Sequence, residues 1–191
     1  AHEYFHLIEF AYNYSVLQGI GLWFMESSAV WFSVKYAGYI DRAMRGNHLE
    51  SYLENSTLTL DRAGSYTSGS PFVMAIDITY GGTGVIEEIM YRLSLRPGSP
   101  TQNQIRSDIT NAIQEYNPGG SFEEAYKYMC RYLTYPEFFY SSILPPYNFA
   151  EDPDPWGIVP KALNATNLEE VSATLNPFGC LIKGYKNGVI K

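Results

Sequence analysis

Two histidines, His2 and His6, stand four residues apart in the segment Ala1-His2-Glu3-Tyr4-Phe5-His6. On an α-helix, residues four apart lie on one face, so the two imidazoles can converge on one point. A neutral imidazole nitrogen is a good ligand for Zn²⁺, and H-E-x-x-H on a helix is a zinc-binding pattern. The spacing therefore predicts a helix that presents two metal ligands on one face.

Glu26 is the candidate for a third ligand, because a catalytic zinc site uses three protein ligands and a water. It lies in an apolar segment that reads as a second helix, where an unpaired carboxylate would be costly to bury. The alternative is a solvent-facing glutamate on an amphipathic helix. Glu3 follows the first histidine and would lie beside the metal, where it can act as a general base.

The segment H-E-Y-F-H, followed after twenty residues by the glutamate of W-F-M-E-S-S-A-V-W, resembles the gluzincin metallopeptidases. Thermolysin and the aminopeptidase N type are members, and the chain looks most like large secreted bacterial and archaeal metalloproteases with H-E-Y-F-H and W-F-M-E-x-x-A-x-W. The resemblance implies that His2, His6 and Glu26 bind zinc and that Glu3 is the general base. Ala29 matches the small residue of the aminopeptidase type.

The same resemblance implies a tyrosine or histidine that hydrogen-bonds the oxyanion, and Tyr66 is the candidate, with Tyr80 in reserve.

One position departs from the family pattern. Thermolysin-like enzymes have an aspartate four residues after the third ligand, where it orients a ligand histidine, and this chain has Val30. The groups that fix the histidine tautomers must therefore come from elsewhere.

The expected fold class is mainly α. Apolar periodicity, glycine and proline breaks and a capping box at Ser121 and Glu124 predict helices over 1–17, 22–44, 71–80, 85–96, 102–116 and 121–133. In the first helix the apolar positions are Leu7, Ile8, Phe10, Ala11 and Tyr14. The glycine cluster at 81–84 indicates a turn between helices, because no G-K-S/T follows it as in a phosphate loop.

By the resemblance, residues 1–165 correspond to the C-terminal, helical part of a gluzincin metallopeptidase domain that is truncated at its N-terminus. Residues 166–191 are predicted to be a strand-forming tail or the start of a β-domain, since Asn187-Gly188 is a hairpin signal. In gluzincins a β-sheet precedes the first helix. We expect that upstream sheet to come from the remainder of the polypeptide or from another chain.

Charge and composition exclude some partners. The net charge of −7 argues against nucleic acid or an anionic membrane. Residues 16–34 approach membrane-spanning length, but Glu26 near the middle favours a buried helix over a membrane span.

The tyrosine-rich, lysine-poor composition is more typical of extracellular or cell-surface proteins. Sequons at Asn13, Asn55 and Asn164 permit glycosylation, and Cys130 and Cys180 are either paired or two unrelated thiols.

The expected activity is zinc-dependent endopeptidase cleavage of protein or peptide substrates outside the cell. An aminopeptidase would need an acidic anchor for a free N-terminus, and no G-x-M-E-N-like segment supplies one. The alternative is a structural or binding module of a cell-surface or extracellular assembly that resembles a metallopeptidase and no longer cleaves. The presence of Glu3 argues against that alternative, because a metal scaffold has no use for a base.

Overall fold

A computed structural model describes residues 1–12, 21–37 and 69–134. In these ranges the chain forms six helices and no strand: α1 His2–Ala11, α2 Leu22–Ala37, α3 Ser70–Tyr80, α4 Thr83–Ser94, α5 Gln102–Tyr116 and α6 Phe122–Thr134. The prediction of a mainly α fold is confirmed for this part of the chain.

Several sequence-based predictions lie outside the described residues. They are the oxyanion candidate Tyr66, the sequons at Asn13, Asn55 and Asn164, the pairing of Cys130 with Cys180, and the strand-forming tail 166–191. The predicted continuation of the second helix from Ala37 to Met44 also lies there.

Helix α3 is the centre of the described fold. Every side chain from Ser70 to Asp77 is buried, as expected of a helix that is apolar on all sides. The helix packs against α2, α4, α5 and α6. Its Phe72 ring lies 6.0 Å from that of Trp23 on α2 and 4.7 Å from that of Phe122 on α6, centroid to centroid. The aromatic core therefore runs from α2 through α3 to α6.

Helix α2 is anchored in this core by its first turns. Trp23, Phe24 and Met25 are at most 2% exposed, and Trp31 is similarly buried two turns later. Near the end of the helix, Lys35 Nζ lies 2.6 Å from Asp77 Oδ1 of α3 and 5.4 Å from the centre of the Trp31 ring. These contacts fix both the position and the rotation of α2 relative to α3.

Helix α1 packs mainly against α2. Phe5 is buried, with its ring stacked 4.7 Å from that of Phe32 and edge-on 6.0 Å from that of Trp31. The helix ends at Ala11, six residues before the predicted end at Leu17, and residues 13–20 lie outside the described part. Phe5 is therefore the one fully buried apolar side chain of α1, and Ile8 packs partly buried against the same core.

Two of the apolar positions identified in the sequence of α1 are exposed in the structure. Leu7 and Phe10 are 63% and 55% exposed. The face turned toward α2 instead holds positions i, i+3, i+4 and i+7, which are His2, Phe5, His6 and Glu9. Polar contacts with α2, absent from a hydrophobicity pattern, determine which face is buried.

The turns and caps of the remaining helices follow from local sequence. The turn between α3 and α4 lies within the predicted glycine cluster, with Gly82 at φ 69°. Helix α4 begins at Thr83 and ends at Ser94, in each case two residues before the predicted bound. Helix α5 has the predicted bounds and a reciprocal capping box, in which Gln104 N–H donates to Thr101 Oγ1 and Thr101 N–H donates to Gln104 Oε1. At α6, Glu124 N–H donates to Ser121 Oγ at 3.1 Å, which is one half of the predicted box.

Candidate metal centre

His2, His6 and Glu26 meet where the first turns of α1 lie against α2. Glu26 Oε2 lies 3.2 Å from His2 Nε2 and 3.7 Å from His6 Nε2, and the two Nε2 atoms are 3.1 Å apart. Donor atoms at ~2.0–2.1 Å from a tetrahedral zinc ion are separated by about 3.3 Å. The three distances therefore suit donors that share one ion.

The helices place these donors for separate reasons. The two histidines stack on successive turns of α1, with their rings perpendicular and 4.7 Å between centroids. Glu26 directly follows the buried residues that anchor α2, so the backbone that carries its side chain is held in place. It is not a solvent-facing side chain, because only 23% of it is exposed and it contacts both imidazoles.

The donor atoms line an open cleft of about 620 Å³. Its lining residues come from α1 and α2: His2, Glu3, Tyr4, His6, Leu7, Phe10 and Glu26. Glu3 is exposed and forms no hydrogen bond or ion pair within the described part of the chain. Its carboxylate is therefore available to a molecule that enters the cleft.

A buried carboxylate, Glu9, lies behind the histidines. It was not predicted from the sequence. It is 1% exposed, with Oε2 2.6 Å from His6 Nδ1, and Oε1 accepts a hydrogen bond from Ser28 Oγ at 2.6 Å. Burial raises the pKa of the Glu9 carboxyl from 4.5 to about 7, while the hydrogen bonds with Ser28 and His6 oppose that rise. The available signal was the spacing of Glu9, one turn after His6.

The two histidines differ in their surroundings. His2 Nδ1 is buried and has no hydrogen-bond partner among the described residues, whereas His6 Nδ1 faces Glu9. Val30, at the position of the aspartate in thermolysin-like enzymes, is buried in the core and is 6% exposed. The carboxylate beside a histidine therefore comes from α1, not from α2.

Tyr80, the reserve candidate for oxyanion binding, does not reach the cleft. Its side chain is only 4% exposed, and its ring lies 6.1 Å from that of Tyr128 on α6, centroid to centroid. It does not belong to the cleft lining. Its position near the C-terminal end of α3 makes it a core residue, so the expectation for Tyr80 was wrong.

Comparison with known proteins found no matching family model, no similar curated protein and no similar solved structure. None of the helices in the described ranges is both long enough and apolar enough to span a membrane. The chemical interpretation of the centre therefore depends on its own geometry and residues.

Proposed function

We propose that this chain carries the zinc centre and the general base of a gluzincin-type metallopeptidase. The observation that supports this most directly is the convergence of His2 Nε2, His6 Nε2 and Glu26 Oε2 at mutual distances of 3.1–3.7 Å. These atoms lie in an open cleft that Glu3 also lines. The site thus combines a ligand set, a base and room for substrate.

The donor set suits zinc better than the common oxygen-seeking cations. Two imidazole nitrogens with one carboxylate oxygen form one of the ligand sets of catalytic zinc, whereas Ca²⁺ and Mg²⁺ prefer oxygen ligands. Three protein donors leave one position of a tetrahedral ion open. The residues that would hold the ion line the cleft, which is the side from which a substrate can approach.

When bound, zinc supplies a Lewis acid that polarises the scissile carbonyl and lowers the pKa of a water toward ~7. Glu3 takes a proton from the attacking water as the new carbon–oxygen bond forms. It then gives that proton to the amine nitrogen as the carbon–nitrogen bond breaks. The products are a carboxylic acid and an amine, and Glu3 returns to its ionised form.

We take the substrate to be an extracellular protein or peptide that is cleaved within its chain. Beside the donors, the apolar side chains of Tyr4, Leu7 and Phe10 are exposed. Exposed apolar side chains in one place are typical of a contact surface, which supports a further protein surface that packs here and extends the cleft. We assign that surface to the remainder of the polypeptide or another chain, which would supply the upstream sheet and hold the substrate strand.

The test uses the full-length protein. Elemental analysis should find about one zinc per chain, since the three ligands are all present in one subunit. A peptide library analysed by mass spectrometry should show internal cleavage by wild type. Glu3→Gln should keep its zinc and lose cleavage, while His6→Ala should lose both.

Glu87→Gln is the matched control, because Glu87 is an exposed glutamate on α4, outside the cleft. It should retain both zinc and cleavage. Absence of zinc in wild type after supplementation would refute the metal centre. Zinc without cleavage in wild type and in Glu3→Gln would instead support the alternative, a non-catalytic module of an extracellular assembly.

A further inference from the structure

Glu9 is a buried ionisable group next to the centre that the proposed reaction does not use. Its two carboxylate oxygens have separate partners: Oε2 lies 2.6 Å from His6 Nδ1, and Oε1 accepts from Ser28 Oγ at 2.6 Å. The side chain is 1% exposed. Because one partner is on α1 and the other is on α2, the carboxylate has a defined position between the two helices.

The contact with Glu9 decides which nitrogen of His6 can bind a metal. In its ionised form the Glu9 carboxylate only accepts hydrogen bonds, so the His6 ring then donates from Nδ1. The lone pair of the neutral imidazole is then on Nε2. That is the nitrogen 3.1 Å from His2 Nε2 and 3.7 Å from Glu26 Oε2. Glu9 therefore presents the ligand atom of His6 to the other two donors.

Ser28 connects this contact to the helix that carries the third donor. It stands two residues after Glu26, and its hydroxyl also lies 2.8 Å from the carbonyl oxygen of Met25. The hydroxyl has one proton, so its donation is shared between this carbonyl and Glu9. Glu26 and the residue that supports the Glu9–His6 contact therefore lie in the same anchored segment of α2.

We propose that Glu9, held by Ser28, is the positioning residue that fixes the tautomer and orientation of His6 for metal binding. The inference rests on the proposed metal centre. A competing explanation is that Glu9 only joins α1 to α2. The two explanations differ in what happens when the acceptor is removed but the volume of the side chain is kept.

Glu9→Met makes that change. It removes the acceptor for His6 and also removes a buried carboxylate, whose desolvation is unfavourable. We expect zinc affinity, measured by competition with a chelating dye, to fall roughly 10–100-fold. Resistance to urea without metal should be equal to wild type or greater. Visible absorption of the Co²⁺-loaded protein should change as well, because the coordination geometry is altered.

Two further variants keep the test decisive if Glu9→Met does not fold. Glu9→Gln retains a weaker, neutral acceptor for His6 and should show an intermediate loss of affinity. Ser28→Ala keeps the carboxylate but frees its second oxygen, and should show a smaller loss in the same direction. Asp108→Asn is the control, since Asp108 is a buried carboxylate paired with Arg96 away from the cleft. It should lower stability without changing zinc affinity.

The outcomes separate this inference from the proposed function. If wild type binds zinc and the folded Glu9 variants bind it as tightly with unchanged Co²⁺ spectra, Glu9 is only a helix contact and the inference is overturned. If affinity and stability fall together in Glu9→Met, the structural explanation is correct. If wild type binds no metal, the centre and its positioning residue are both refuted.

Discussion

The buried carboxyl of Glu9 makes the stability of the metal-free protein depend on pH. In the folded chain its pKa is raised from 4.5 to about 7, chiefly because burial disfavours the charged form. Between these two values the folded state binds more protons than the unfolded state, so the free energy of unfolding decreases as pH rises. Any stabilisation from this group is present below pH 4.5 and lost as pH passes through about 7.

The size of the effect follows from the change in pKa. A rise from 4.5 to about 7 corresponds to about 3 kcal/mol, at ~1.4 kcal/mol per pH unit. Glu9→Gln has nearly the same shape and does not titrate, so it is the reference. Relative to this variant, wild type should lose about 3 kcal/mol of unfolding free energy between pH 4.5 and pH 7.5.

The assay is urea unfolding followed by circular dichroism, with a chelator present, at several pH values across that window. The quantity of interest is the difference in unfolding free energy between wild type and Glu9→Gln at each pH. A difference that stays constant, or that favours wild type as pH rises, would show that Glu9 is not desolvated in the folded state. The structural account of its burial would then be wrong.

Three further predictions concern the packing, each measured by urea unfolding. Phe72→Ala should cost about 3–5 kcal/mol, because this fully buried ring joins the aromatic groups of α2 and α6. Gly69→Ala places a Cβ against Ser27 Oγ and should cost about 1–3 kcal/mol; adding Ser27→Ala should recover part of it. Asp108→Ala leaves Arg96 unpaired but partly exposed, so a loss of about 1–3 kcal/mol is expected. An unchanged midpoint in any of these would contradict the corresponding contact.

Helices with strong local signals were predictable from sequence. Helix α5 has the predicted bounds of Gln102 and Tyr116, because Thr101 caps its start and an Asn-Pro-Gly-Gly segment follows its end. The convergence of Glu26 with His2 and His6 was also predictable. The histidines were identified by their helical spacing, and Glu26 by the cost of burying an unpaired carboxylate in an apolar helix and by the resemblance to gluzincins. Local chemistry was sufficient in these cases.

The exposed face of α1 and the environment of His6 were not predictable from hydrophobicity. Leu7 and Phe10 face outward because the side of the helix with the histidines is turned toward α2. Glu9 on an isolated helix is indistinguishable from a solvated glutamate. In the fold it is buried and accepts a hydrogen bond from Ser28 on another helix, and a contact between helices leaves no periodic pattern in the sequence.

The position of α1 has a consequence for local opening. Helix α3 contacts four other helices, whereas α1 packs mainly against α2. Elements with few buried contacts open at a lower free-energy cost than the core. Backbone amides of α1 should therefore exchange with deuterium faster than those of α3 in the metal-free protein. An ion shared by His2, His6 and Glu26 would cross-link α1 to α2, so metal loading would slow exchange in α1, which the core secures least among the described helices.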